Sequence, residues 1–134
     1  MAKPNGRKLF VNLPVRDLPR SKAFFEALGF SFEPKYSDDK AACLIISDEA
    51  YFMLLAEPFF KTFTEREICD TRKQVEGLFA ITAESKEEVD TLVAKAVKAG
   101  GARAEGEMDN EFMYYKSFYD PDGHHWEVLT GGPE

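Results

Sequence analysis

The run Asp120-Pro121-Asp122-Gly123-His124-His125-Trp126-Glu127-Val128 holds both histidines of the chain and three of its carboxylates. Strand residues i and i+2 share one face about 7 Å apart, so His125 and Glu127 could approach a single divalent ion. Such an ion needs a third and a fourth ligand. His124, one residue out of phase, points to the opposite face. The blander reading makes His125 a half-exposed turn residue and Glu127 a hydrogen-bonded or hydrated carboxylate. The other reactive groups offer less. Cys43 lies inside the apolar run Ala42–Ile46 and reads as a small hydrophobe. Cys69 has Arg66 and Arg72 near it in sequence, a setting that lowers a thiol pKa; its alternative is an inert thiol on a helical turn. Gly100-Gly101 follows a helical pattern instead of opening one, so no phosphate-binding loop is present.

These residues sit in a chain of 134 residues that is 44% apolar and 31% charged, which is the composition of a folded domain. No apolar run approaches the roughly 20 residues of a membrane span, and the polar stretch Met1–Arg7 leads into no secretory signal. Two cysteines make no disulfide framework. A cytoplasmic protein is expected. Its net charge of −7 is concentrated in residues 105–134, where eight acids face the single base Lys116. An acidic surface repels phosphate backbones and anionic lipid, so neither nucleic acid nor membrane is an expected partner, whereas a cationic ligand is tolerated.

The elements that must position these groups repeat. Lys8–Val15 reads as a buried strand; Asp17 then offers an N-cap, Pro19 fits the first helical turn, Phe24, Phe25 and Leu28 form an apolar stripe, and Gly29 closes the helix. Strand-like runs follow at Phe30–Tyr36, Ala42–Ser47 and Tyr51–Ala56. The second half begins with a strand at Gly77–Ala83 and a capping box at Ser85 and Glu88. Val89, Leu92, Val93, Ala96 and Val97 then mark an amphipathic helix. Further strands are expected around Ala102–Glu107, Phe112–Tyr119 and His124–Thr130, the last after the turn Asp120–Gly123. Strand onset and helix cap recur 68 residues apart, Phe10 with Leu78 and Asp17 with Ser85. The expectation is an α+β domain spanning the chain, with one βαβββ unit over about 8–56, an insert over 57–74 and a second unit over 75–130. In the insert, Thr64 and Glu67 would cap a short helix through Cys69, and Phe59, Phe60 and Phe63 need a covering surface.

The paired βαβββ order, the opening Leu13-Pro14-Val15-Arg16-Asp17-Leu18 with Ser21, Phe24 and Phe25 behind it, and the closing Asp120–Val128 motif resemble the vicinal oxygen chelate superfamily. That superfamily includes glyoxalase I, bleomycin- and fosfomycin-resistance proteins and extradiol dioxygenases. More narrowly, the chain looks like a bacterial branch of predicted glyoxalase-related proteins. The resemblance covers about residues 8 to 130. It implies mostly antiparallel, cup-shaped sheets with helices on the outer face, a ligand or metal in the cup, and a homodimer. Metal-using members place ligands at four inward positions, and the resemblance carries these onto Phe10, Met53, Leu78 and Glu127. Phenyl and isobutyl groups donate no lone pair and a thioether suits hard cations poorly, so no metal and no cofactor are expected. If a metal binds, Glu127 and His125 are its ligands.

What remains is a mostly apolar pocket lined by Phe10, Asn12, Met53, Leu78, Ala80, Thr82 and Glu127, the composition of a small-molecule site. The reading is a binder of a small organic molecule. Two alternatives stay open: a metal-dependent lyase, isomerase or dioxygenase with an atypical site at His125 and Glu127, and a structural or partner-binding module with a filled cup. Of Tyr114, Tyr115 and Trp126, parity does not say which face the cup.

Overall fold

The computed structural model describes residues 6–131. In chain order the elements are β1 (Leu9–Val15), α1 (Leu18–Ala27), β2 (Ser31–Glu33), β3 (Ala41–Ile45), β4 (Ala50–Ala56), α2 (Glu57–Phe60), β5 (Leu78–Thr82), α3 (Lys86–Lys98), β6 (Ala102–Asp109), β7 (Met113–Tyr119) and β8 (His125–Gly131). The chain divides into two compact units, one ending at Ile68 and one beginning at Cys69. Each contains a four-stranded sheet with its first and last strands paired in parallel and the others antiparallel: β1-β4-β3-β2 and β5-β8-β7-β6. The fold is therefore the expected α+β pair of βαβββ units.

In the first unit, Leu13, Val15, Leu44 and Leu54 are buried on the sheet face that meets Leu18, Phe24 and Phe25 of α1. The Asp17 carboxylate accepts from the Arg20 N–H at 3.1 Å and caps α1, with Pro19 in its first turn. Gly29, at φ +101°, lets the chain leave the helix in the left-handed region. The strand expected through Tyr36 ends at Glu33, and Pro34–Tyr36 form a single 3₁₀ turn. Pro34 has no N–H to continue a ladder. Ser37 stabilises the turn, its hydroxyl donating to the Glu33 carbonyl (2.6 Å) while accepting from the Cys43 N–H (3.0 Å).

The insert also departs from expectation. Its helix is Glu57–Phe60, extended by a 3₁₀ turn over Lys61–Phe63, and Thr64 starts no helix. The Thr64 hydroxyl accepts from the N–H of Arg66, two residues on, which is a local turn competing with an N-cap. Phe59 and Phe63 pack edge to face at 5.1 Å, with the Lys40 ammonium 5.9 Å from the Phe59 ring, yet Phe63 stays 68% exposed.

In the second unit, Phe118, Trp126 and Val128 are buried on the face of β7 and β8 that meets α3, where Val89, Val93 and Ala96 are buried, and Ile81 of β5 is buried too. Val97, expected in that stripe, lies at its exposed edge. The Ser85 hydroxyl accepts from the Glu88 N–H, while the Glu88 carboxylate reaches back one residue further than in a capping box, to the Glu84 N–H at 2.9 Å. No helix among the described residues is long and apolar enough to cross a membrane.

Candidate functional site

The start of β8 is set by the turn before it. Asp120 is buried, and its Oδ1 accepts the N–H groups of Asp122 (2.9 Å) and His124 (3.0 Å) while Oδ2 accepts the Trp126 indole N–H (3.0 Å). Burial pushes the Asp120 carboxyl above its ordinary range, opposed by His124 beside it and by the indole hydrogen bond. The Gly123 N–H donates to the Asp120 carbonyl at 2.9 Å. Gly123 is required twice: its φ is +85°, and a Cβ there would lie 2.8 Å from the Thr71 hydroxyl, which donates to the Asp122 carbonyl. His124, fully buried, bonds the Glu76 carboxylate through Nδ1. The Asp120 carboxylate and the backbone N–H groups of Asp122, Gly123 and His124 are thus engaged in building a turn, and the His124 ring ties it to Glu76.

That turn fixes the phase of β8. Trp126 and Val128 enter the helix-facing core, so His125, Glu127 and Leu129 lie on the opposite, helix-free face. Their register partners share that face: Leu78, Ala80 and Thr82 on β5, and Tyr119, Ser117 and Tyr115 on β7. Leu78 is 59% exposed, while the side chains of His125 and Glu127 keep 16% and 23%. His125 Nε2 and Glu127 Oε2 stand 3.7 Å apart, beyond hydrogen-bond reach, and the Tyr119 ring packs edge-on to the imidazole at 5.3 Å. The aromatic question resolves by register. Tyr115 lies on the helix-free face, whereas Trp126 stacks on Phe118 and Tyr114 donates to Asp90 of α3. Lys116 joins Asp90 at 2.8 Å, and hydrogen bonds from Lys116 and then Tyr114 hold that carboxyl below its ordinary range.

The first unit presents the matching face: Phe10 and Asn12 on β1, Tyr51 and Met53 on β4, Cys43 on β3. Phe10 is 42% exposed and stacks on Tyr51 at 4.9 Å. Register establishes the correspondence between units, since Asn12 pairs with Met53 as Ala80 pairs with Glu127. Cys43 is fully buried, and burial, then the charge of Glu33, push its thiol up, away from the thiolate that a nucleophile needs. Arg72, a candidate activator of Cys69, is engaged by Asp70 instead, with Nε 3.1 Å from Oδ1. A groove of about 550 Å³ also opens in this unit, but Lys22, Glu26, Phe30, Phe32, Pro34 and Asp38 are among its lining and none of the expected site residues is.

The ligand positions expected from the resemblance fall at Phe10 and Met53, which lie in the first unit, and at Leu78 and Glu127, which lie in the second. In the second unit the strand phase places one potential co-ligand, His125, beside Glu127 on β8. Among the described residues no three His, Cys, Asp or Glu side chains gather around a common point. This donor set does not fit a hard divalent ion. Sequence reasoning missed Ser117, which the register places directly opposite Glu127, and the structural work of Asp120. A serine inside an aromatic strand carries no signal of its own, but an aspartate opening a turn six residues before a tryptophan offered one.

Solved structures share this architecture. That of a hypothetical protein from S. aureus aligns at a TM-score of 0.79 with 28% identity, covering 92% of both chains. A glyoxalase/bleomycin resistance protein/dioxygenase family enzyme from Burkholderia phytofirmans aligns at 0.73 with 20% identity, over 90% of this chain and 94% of that one. The fosfomycin resistance protein FosX from Listeria monocytogenes, complexed with Mn(II) and sulfate ion, aligns at 0.67 with 20% identity, over 92% and 89%. No curated protein matches the chain. The profile of one family spans residues 9–128, from the first residue of β1 into β8, and joins the repeated βαβββ order to the closing turn: the chain belongs to the glyoxalase/bleomycin resistance protein/dioxygenase superfamily.

Proposed function

We propose that the protein binds a small organic molecule on the helix-free sheet face of its second unit, with Glu127 as the polar anchor and without a metal ion. One observation carries this reading. Glu127 is the sole carboxylate in β5, β7 and β8, and it stands half-buried beside exposed Leu78 and Ala80. A lone carboxylate on an apolar face suits an organic cation whose body covers the apolar surface. The corresponding face of the first unit, with Phe10, Asn12 and Met53, supplies apolar surface and one amide but no charge.

The test is a thermal-shift screen of small organic cations against the wild type and Glu127→Gln. A cation that stabilises the wild type should lose roughly 1–3 kcal/mol of binding in the variant, because its charge is left unpaired. Equal shifts in both proteins would refute the anchor. The His125–Glu127 proximity supports a second reading, a metal-dependent lyase, isomerase or dioxygenase that recruits further ligands. Elemental analysis separates the two, since the second requires a stoichiometric ion lost in both His125→Ala and Glu127→Ala.

A further inference from the structure

Among the described residues, the buried side-chain nitrogen and oxygen atoms without a hydrogen-bond partner are the Ser117 hydroxyl and His125 Nε2. Buried polar atoms are nearly always partnered, so each orphan calls for a missing group. These two are not scattered. Ser117 is the direct register partner of Glu127 on β7, and His125 precedes Glu127 by two residues on β8, so both orphans flank the one carboxylate of β5, β7 and β8. The strand next to Ser117 is also irregular. Between Arg103, which pairs with Phe118, and Glu107, which pairs with Lys116, β6 bulges, so that Ala104, Glu105 and Gly106 oppose Ser117 alone. A Cβ on Gly106 would stand 3.1 Å from the Ser117 hydroxyl, so glycine preserves the space beside it. Bulges of this kind recur beside binding sites, where they re-aim side chains.

We propose that Ser117, His125 and Glu127 form a receptor for an organic cation that carries N–H donors, a primary ammonium or a guanidinium, and discriminate against quaternary ammonium. This rests on the reading of Glu127 as the ligand anchor. A carboxylate only accepts hydrogen bonds, a serine hydroxyl accepts as well as donates, and an imidazole protonated on Nδ1 accepts at Nε2. A primary ammonium brings three donors to these three acceptors. A quaternary ammonium brings charge but no donor, and leaves both orphans unsatisfied. In this proposal the cation approaches Glu127 through its exposed portion, and reaching His125 Nε2 and the Ser117 hydroxyl, both closed to solvent, requires the side chains around them and the unpaired bulge at Gly106 to give way.

The experiment is calorimetric titration of the full chain with propyl-, benzyl- and phenethylammonium, each against its N,N,N-trimethyl counterpart, in the wild type, Ser117→Ala, Gly106→Ala and Glu127→Gln. The primary amine should bind at least about tenfold more tightly than its trimethyl counterpart, and Ser117→Ala should remove most of that difference. Ser117→Ala should leave the unfolding midpoint unchanged or higher, because it deletes an unsatisfied hydroxyl. Gly106→Ala, which crowds the same hydroxyl, should weaken the primary amine too. If the trimethyl compounds bind equally well, or if the Ser117→Ala and Gly106→Ala variants retain full discrimination while Glu127→Gln loses binding, the three-acceptor receptor is wrong and the anchor stands. If no cation of the series binds at millimolar concentration, both fall.

Discussion

Asp120→Asn is a sharp perturbation because the carboxylate meets three donors with two oxygens. The asparagine carbonyl can keep the Asp122 and His124 N–H groups, but its amide nitrogen then faces the Trp126 indole N–H, donor against donor. A buried donor without an acceptor costs about 1–3 kcal/mol. The variant is also relieved of the desolvation that raises the Asp120 pKa, so the net loss at neutral pH should fall near 1–2 kcal/mol, or roughly 3–10 °C for a chain of this length. Trp126→Phe removes the donor and leaves a void, and the double variant removes the donor clash entirely. Denaturant unfolding of the four proteins yields the coupling, and Asp120→Asn should be at least about 1 kcal/mol less damaging in the Trp126→Phe background. The pH dependence has a definite sign. A carboxyl whose folded pKa is raised contributes stability that is complete below the unfolded value, near pH 4, and is lost as pH rises through the folded value. The advantage of the wild type over Asp120→Asn should therefore shrink as pH rises from about 4. Losses that add within about 0.5 kcal/mol would refute the indole–carboxylate account.

Further outcomes follow from the same geometry. Incubated with zinc, nickel, manganese or iron(II), the purified chain should hold well under one equivalent by elemental analysis, because Phe10 and Leu78 offer no lone pair and Met53 only a thioether. Light scattering at micromolar concentration should report a homodimer, twice the 15.2 kDa chain, because Phe63 and Leu78 remain exposed; a single-chain mass would refute it. Asp90, whose pKa is lowered by Lys116 and Tyr114, contributes stability present above its unfolded pKa and lost as pH falls through the folded one. With half its side chain exposed, Asp90→Ala should cost only about 0.3–1 kcal/mol at neutral pH, measured by urea unfolding, and nothing below that titration.

Much of this architecture was legible in the residues. Asp17, Ser85 and Gly29 act locally, and local hydrogen bonds of this kind are written in short windows of sequence. The repeat was legible because each strand's burial period is set by one sheet face. Thr64 and Glu67 misled because the same hydroxyl that caps a helix can close a two-residue turn, and only the surrounding chain decides. The site was half legible. Parity places Glu127 beside His125, but Ser117 lies opposite Glu127 through pairing with a strand eight or more residues distant in sequence, and the bulge in β6 beside it is one that no pattern of apolar residues encodes.

The register correspondence between units leads to a more general point about where chemistry sits in this fold. Asn12 beside Met53 matches Ala80 beside Glu127, and Phe10 beside Tyr51 matches Leu78 beside His125. Strands β1, β3 and β4 contain no charged residue, and at these equivalent positions the first unit has a stacked aromatic pair and a thioether where the second has imidazole and carboxylate. The charge of the chain divides the same way, for residues 1–68 are neutral and residues 69–134 carry the whole −7. Two units of one topology thus differ in the side chains at these positions: one offers apolar surface, and the other offers acceptors in an acidic surrounding. Electrostatic attraction to the second unit should make cation binding weaken with ionic strength, whereas contacts with the apolar face should not. Titration of a cation that binds, in low and high salt, would test this division, and an affinity independent of salt would show that the acidic surrounding takes no part in recognition.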